Sequence, residues 1–165
     1  MSVNPMTLVV AEDHELARCG LVMTLEERKG FRVVAEAENG EAALRLTEKH
    51  QPAVVLMDIG MPKMNGIEAT RQIKKRFPGI KVVMLTSHDH EEEVLAALSA
   101  GADAYCMKDI KMDRLCQVLE MVMEGAIWLD PAVARVVMAA LPGEGASDPD
   151  AVKSSQHRKR YNTHL

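Results

Sequence analysis

The chain has 165 residues, 47% of them hydrophobic, which allows one well-buried domain and leaves little for a second. A formal net charge of -4 excludes a protein that is held to nucleic acid by its overall electric field. The three cysteines are widely spaced, which predicts neither a disulfide framework nor a zinc site. The sequence starts without a basic signal-peptide region and has no apolar run long enough to span a bilayer. These features together predict a cytoplasmic protein.

Short apolar runs alternate with longer amphipathic segments, which is typical of repeated βα units. Five of the runs predict strands, at residues 7–11, 31–37, 53–58, 81–86 and 104–107. In the third run, residues 54–57 are all apolar, as expected for a strand buried on both faces of a parallel sheet. Asp58 then stands at the carboxyl end of that strand.

The segments between the predicted strands, together with residues 111–124, predict five helices. Residues 125–141 predict a sixth, with an apolar stripe formed by Val133, Val136, Val137 and Leu141. Capping residues mark where helices begin: Asn39, Asn65 with Glu68, Asp89 with Glu92, and Asp130 before Pro131. Residues 142–165 have the composition of a flexible linker followed by a basic tail.

Acidic, hydroxyl and amino side chains stand at the ends of four predicted strands. They are Glu12 and Asp13 after the first, Asp58 at the end of the third, Thr86 at the end of the fourth and Lys108 after the fifth. Ligands of open parallel sheets bind beyond the carboxyl ends of the strands, so these side chains should converge. Crowded carboxylates favour a cation among them, and an oxygen-only pocket suits Mg²⁺. A carboxylate beside Mg²⁺ can attack a phosphoryl group, whose oxygens an ammonium and a hydroxyl can then bind.

Four motifs occur in order on the predicted elements: AEDH, MDIGMPKMNG, LTSH and AYCMKD. With them the chain strongly resembles the receiver domain of bacterial two-component response regulators, over about residues 6–125. The segment EDHELARCGLVMTLE is similar to the first helix of the NarL/LuxR branch, and WLDP followed by a helix resembles that branch's connector to a helix-turn-helix domain. We therefore expect a flavodoxin-like, doubly wound α/β fold with five parallel strands in the order 2-1-3-4-5, and residues 126–141 as an added connector helix.

The resemblance also implies a role for each residue at the strand ends. Asp58 would accept a phosphoryl group from the phosphohistidine of a histidine kinase. Magnesium would be held by Glu12, Asp13, Asp58 and the backbone carbonyl of Gly60. Thr86 and Lys108 would hold the phosphoryl group, and Tyr105 would change rotamer when Thr86 moves. The phosphorylated protein is expected to favour a homodimer.

Two features depart from the family pattern. Lys108 is followed by Asp109, where many receivers have a cis-proline. A cis bond before a residue other than proline costs roughly 3–4 kcal/mol, so the isomer of this peptide stays open. No helix-turn-helix pattern follows Leu141, so transcription would be regulated, and DNA bound, only through an output domain that is absent here.

Two alternatives also stay open. Phosphatases of the haloacid dehalogenase type use a similar aspartate, magnesium, hydroxyl and lysine, but they need a second acid two residues after the nucleophile, where this chain has Gly60. A phosphate-independent interaction module of the same fold would fit if magnesium did not bind. The preferred interpretation is a signalling switch that is not an enzyme and performs only self-catalysed phosphoryl transfer and slow autodephosphorylation.

Overall fold

The computed structural model describes residues 4–142. The strands are β1 (Met6–Ala11), β2 (Phe31–Ala37), β3 (Val54–Met57), β4 (Lys81–Thr86), β5 (Ala104–Met107) and β6 (Trp128–Leu129). The helices are α1 (Glu15–Glu26), α2 (Gly40–His50), α3 (Gly66–Arg76), α4 (Glu91–Ser99), α5 (Met112–Met123) and α6 (Pro131–Ala140). Apart from Pro142, the predicted linker and tail lie outside the described residues.

The strands are all parallel and form one sheet in the order β2-β1-β3-β4-β5-β6. This confirms the doubly wound α/β fold and the order of the five predicted strands. The prediction of five strands missed β6, in which Trp128 pairs with Ala104 and Leu129 with Tyr105. A strand of two residues is too short to show the alternation that marks a strand in a sequence.

Alternate strand residues face the two sides of the sheet, so the protein has two hydrophobic layers. Helices α1 and α5 cover one side, where Leu25 and Leu119 join the buried strand residues. Helices α2, α3 and α4 cover the other side and contribute residues such as Ile73 and Val94. Every residue of β3 is buried, as its apolar run predicts. Polar side chains at this strand therefore occur only beyond its end.

Helix α6 packs against α4. Val133 is fully buried in the core that also contains the inner face of α4, and Val136 and Val137 contact that core. The predicted apolar stripe is confirmed for these three valines. Leu141 lies just beyond the last helical residue and is 50% exposed, so it does not extend the stripe.

Three of the four predicted helix caps are confirmed. Side-chain oxygens of Asn39, Asn65 and Asp130 accept hydrogen bonds from the backbone N–H of Ala42 (2.8 Å), Glu68 (2.9 Å) and Ala132 (2.9 Å). The prediction for Asp89 is wrong, because α4 begins after His90, whose side chain makes no capping hydrogen bond. Within the described part of the chain, none of the helices combines the length and the apolar composition needed to cross a membrane.

Candidate phosphoacceptor site

The carboxyl ends of β1, β3 and β5 place an ammonium group between two buried carboxylates. The side chains of Glu12 and Asp58 are only 6% and 7% exposed. Lys108 Nζ lies 2.5 Å from Glu12 Oε1 and 3.2 Å from Asp58 Oδ2. The other oxygen of each carboxylate accepts a backbone hydrogen bond, Asp58 Oδ1 from Ile59 (2.8 Å) and Glu12 Oε2 from His14 (3.1 Å). Three of the predicted site residues therefore form one connected group.

Backbone pairing continues beyond the strands and fixes where these side chains begin. The Asp58 N–H donates to the Ala11 carbonyl at 3.0 Å, and the Lys108 N–H donates to the Thr86 carbonyl at 2.9 Å. The Lys108–Asp109 peptide bond is trans, which decides the isomer that the sequence left open. The backbone of the site is thus anchored to the carboxyl ends of the strands by hydrogen bonds.

Lys108 is held in its charged form. Burial opposes the charge, but the hydrogen bond to Glu12 and the negative charges of Asp58 and Glu12 outweigh burial and raise the pKa of Lys108 above its ordinary value. Its side chain is 31% exposed, so Lys108 is only partly buried, unlike the two carboxylates that it contacts. A charged donor at this position is suited to bind an oxygen of a group attached to Asp58.

Asp13 brings a third carboxylate to the site. Its Oδ1 atom is buried and has no hydrogen-bond partner among residues 4–142. Ligand atoms of Glu12, Asp13 and His14 lie within 4.8 Å of one another, in a group that contains His14, which was not predicted, and does not contain Asp58. A buried polar atom without a partner is costly, so this carboxylate oxygen is suited to bind a cation.

The two predicted switch residues meet at the backbone of His88, in the loop between β4 and α4. Thr86 Oγ1 accepts a hydrogen bond from the His88 N–H at 3.2 Å, and the Tyr105 hydroxyl donates to the His88 carbonyl. Both side chains are fully buried. Burial raises the pKa of Tyr105 far above its ordinary value, so the phenol stays a hydrogen-bond donor. One residue of the loop therefore links Thr86 to Tyr105.

Two glycines that follow Asp58 in the chain stand in confined positions. A Cβ added to Gly60 would lie 3.2 Å from His88 Nε2. Gly66 begins α3, where its N–H donates to the Ile59 carbonyl at 2.9 Å, and a Cβ there would overlap the carbonyl group of Asp58. Gly60 thus lies close to the site, while the role of its carbonyl as a metal ligand stays a prediction.

Three residues near the site were not predicted. His14 lies beside Asp13, and His88 contacts the switch residues through its backbone, which no side-chain pattern reveals. Arg18 is buried on α1 and donates to the Glu12 carbonyl. In the sequence, Arg18 stands out only as part of a family motif, and its charge argues against burial because arginine is rarely found inside a protein.

Known proteins resemble this chain in sequence and structure. Residues 8–120 match the response regulator receiver domain family. The chain is 42% identical over 132 residues to the transcriptional regulatory protein DegU of Brevibacillus brevis, covering 80% of this chain and 56% of DegU. It is 31% identical over 157 residues to the nitrate/nitrite response regulator protein NarL of Escherichia coli K12, covering 95% of this chain and 73% of NarL. A crystal structure of a LuxR-family two-component response regulator from Aurantimonas sp. SI85-9A1 has a TM-score of 0.76 and 31% identity, over 82% of this chain and 96% of that one.

The region matched to the family contains every residue of the site. It runs from β1 into α5, whereas β6 and α6 lie beyond it. The chain spans little more than half the length of DegU, 56%, so the activity of that whole protein does not transfer to this chain directly.

Proposed function

The chain belongs to the response regulator receiver family, in its NarL/LuxR branch, and we propose that it is a phosphorylation-controlled switch whose phosphoryl group is carried by Asp58. Neither the phosphatase nor the phosphate-independent alternative finds support in these similarities. The observation that carries the proposal is the buried Asp58 carboxylate at the end of β3, with the Lys108 ammonium 3.2 Å away.

A histidine kinase is the proposed phosphoryl donor. An Asp58 oxygen attacks the phosphorus of the kinase's phosphohistidine, the P–N bond breaks, and the imidazole leaves as an acyl phosphate forms. The Lys108 ammonium then binds one phosphoryl oxygen and the Thr86 hydroxyl another. Water later attacks the phosphorus and releases inorganic phosphate, which restores the carboxylate. The chemistry is therefore self-catalysed transfer and slow autodephosphorylation, without turnover of a separate substrate.

Magnesium is the metal that the donor set favours. We propose that the carboxylates of Glu12, Asp13 and Asp58 hold it together with the Gly60 carbonyl. The buried Asp13 Oδ1, which has no partner in the described part of the chain, supports a cation at this position. Magnesium prefers oxygen donors, so we leave the nearby His14 nitrogen out of the ligand set. When bound, the ion would neutralise charge on the phosphoryl oxygens.

The switch would run through His88 to α6. If Thr86 moves toward a phosphoryl group on Asp58, the hydrogen bond between Thr86 and the His88 N–H is altered. Tyr105 is bonded to the same residue through its hydroxyl, and its carbonyl accepts the N–H of Asp130 at 3.0 Å. Asp130 caps α6, so a change at Thr86 has a short physical route to that helix.

Phosphorylation is further proposed to favour a homodimer, by analogy with the receiver family to which the chain belongs. A dimer that becomes tenfold tighter needs a difference of only about 1.4 kcal/mol between the two states. Sedimentation velocity with and without beryllofluoride measures this difference. Equal dimer constants in the two conditions would exclude a dimer switch.

The receiver domain is proposed to comprise residues 6–125, with residues 126–141 as the connector to a DNA-binding output domain. The helices of the described residues are used to cover the sheet or, for α6, to pack on α4. Sequence-specific DNA recognition is therefore assigned to the output domain. All three cysteines are unpaired, which supports a reducing cytoplasmic location.

Replacing Asp58 by Asn tests the phosphoacceptor. The amide has nearly the same shape but cannot attack phosphorus, so acetyl phosphate should no longer produce a slower band on a Phos-tag gel. Asp113→Asn is a matched control, because the same change is made at a side chain that is 84% exposed on α5. A full shift in the Asp58→Asn variant would refute Asp58 as the acceptor.

A further inference from the structure

We infer that Arg18 is a positioning residue for the acidic site: it fixes the peptide that links Glu12 to Asp13, and through that peptide the direction of the Asp13 carboxylate. The inference deepens the proposed function and rests on it, since the direction of this carboxylate matters when Asp13 binds a metal ion.

Helix α1 buries an arginine while it leaves large apolar side chains in solvent. Arg18 is 7% exposed, whereas Leu16 is 89% exposed and Met23 is 65% exposed. Arg18 lies on the same face of α1 as Leu21, Val22 and Leu25, so the orientation that buries these apolar residues also takes the guanidinium out of water. The buried guanidinium must therefore find polar partners that compensate for its lost hydration.

Three nitrogens of the guanidinium reach three different partners. Nη1 donates to the backbone carbonyl of Glu12 at 2.8 Å, Nε donates to Glu36 Oε1 at 3.2 Å, and Nη2 lies 3.6 Å from Glu38 Oε1. The two glutamates are 44% and 75% exposed, so their ion pairs add little stability. Because the guanidinium is planar, these contacts instead fix its orientation, with one N–H aimed at the Glu12 carbonyl.

The hydrogen bond from Arg18 to the Glu12 carbonyl constrains the backbone of the next residue, Asp13. The Glu12 N–H donates to the Ala37 carbonyl at 3.0 Å, so Arg18 completes the hydrogen bonding of the Glu12 backbone. The Glu12 carbonyl and the Asp13 nitrogen share one rigid peptide plane. Holding that carbonyl therefore sets the plane from which Asp13 starts, and the Asp13 side chain carries the buried oxygen that has no partner among the described residues.

A role of Arg18 through its geometry and a role through its charge predict different effects on metal binding when this residue is substituted. Binding measurements can therefore separate the two roles. Arg18→Gln removes a positive charge that contacts the Glu12 backbone, so the loss of Coulomb repulsion alone would tighten the binding of a cation at the site. Arg18→Lys keeps the charge, so Coulomb attraction alone would leave binding unchanged. A lysine has no planar fork and cannot satisfy the glutamates and the Glu12 carbonyl in the same way. Positioning by Arg18 predicts weaker binding in both variants.

The test is a titration with Mn²⁺, whose free aqua ion is counted by its electron paramagnetic resonance signal. Both Arg18 variants should bind Mn²⁺ about 10 to 100-fold more weakly than the parent, the range typical for residues that orient metal ligands. Arg28→Gln is the matched control, because it removes the same charge at the other end of α1, where Arg28 pairs with Asp113. Its Mn²⁺ affinity should equal that of the parent.

A second readout separates positioning from a general loss of structure. The Mg²⁺ concentration that gives half-maximal phosphorylation by acetyl phosphate should rise by the same factor as the Mn²⁺ dissociation constant. The rate at saturating Mg²⁺ should stay close to that of the parent. Thermal unfolding without metal establishes that Arg18→Lys is folded under the assay conditions.

The outcomes distinguish this inference from the proposal on which it rests. A parent protein that binds no Mn²⁺ overturns the proposed metal site and the role of Arg18 with it. A parent that binds Mn²⁺, beside an Arg18→Lys variant of equal affinity, overturns only the role of Arg18. An Arg18→Gln variant that binds more tightly than the parent would show that charge, not position, governs this residue.

Discussion

Val133→Ala should measure how strongly α6 is joined to the receiver. The side chain is fully buried in the core that also contains the inner face of α4. The substitution removes two methyl groups, which costs about 1.6 kcal/mol of transfer free energy at roughly 0.8 kcal/mol each. The cavity left behind adds to this cost, and the better helix propensity of alanine offsets about 0.5 kcal/mol. We expect a loss of about 2 kcal/mol in the free energy of unfolding.

Urea unfolding followed by tryptophan fluorescence suits this measurement, because Trp128 is the single tryptophan and lies in β6, next to α6. With an m value of about 2 kcal/mol/M, the expected loss lowers the urea midpoint by about 1 M. Met138→Ala is the matched control on the same helix, because Met138 is 70% exposed. Its free energy of unfolding should stay within about 0.5 kcal/mol of the parent value.

Two results would refute this reasoning. Equal midpoints for Val133→Ala and the parent would mean that the burial of Val133 contributes no stability. A fluorescence transition at lower urea than the transition in far-ultraviolet circular dichroism would mean that β6 and α6 unfold separately from the rest. In the second case, the proposed domain boundary near residue 125 would also separate two regions that unfold at different urea concentrations.

Two further predictions concern the region around Asp58. Tyr105→Phe removes the hydroxyl that donates to the His88 carbonyl and should lower the free energy of unfolding by about 1 kcal/mol, measured in urea, while an unchanged midpoint would show that this bond adds nothing. Gly66→Ala forces a methyl group against the Asp58 carbonyl and should slow phosphorylation by acetyl phosphate about tenfold or more, because small displacements of a reacting group are costly. Gly79→Ala, made where a Cβ meets no atom within 4 Å, is its control, and equal rates in the two variants would contradict the expected displacement.

Features that depend on residues close together in the sequence could be predicted. The apolar run of β3 predicted a strand buried on both faces, and all four of its residues are buried. Asn39 and Asn65 were recognised as caps because a cap bonds to a backbone N–H only a few residues away. The assignment of Asp89 failed because α4 starts one residue later, after His90, so the carboxylate of Asp89 does not stand at the N-cap.

Helix α1 shows where the hydrophobicity of single residues misleads. Hydrophobic residues normally mark the inner face of a helix, yet α1 leaves Leu16 exposed and turns Arg18 inward. The partners of Arg18 are Glu36 and Glu38, on β2 and just after it, and the carbonyl of Glu12. Only the three-dimensional arrangement brings these groups together, so a hydrophobicity scale does not explain why Arg18 stands on the inner face of α1 beside Leu21, Val22 and Leu25.

Several of the contacts that sequence reasoning missed share one physical property, which is that one partner is a backbone group. Arg18 donates to the carbonyl of Glu12, and Thr86 and Tyr105 meet at the N–H and the carbonyl of His88. Every residue has a backbone carbonyl, so the amino-acid types at positions 12 and 88 do not predict these hydrogen bonds. Strand-end carboxylates and the lysine could be found because their side chains carry the chemistry. The hydrogen bonds of Arg18, Thr86 and Tyr105 involve the main chain, and they become visible only when the fold fixes where that main chain lies.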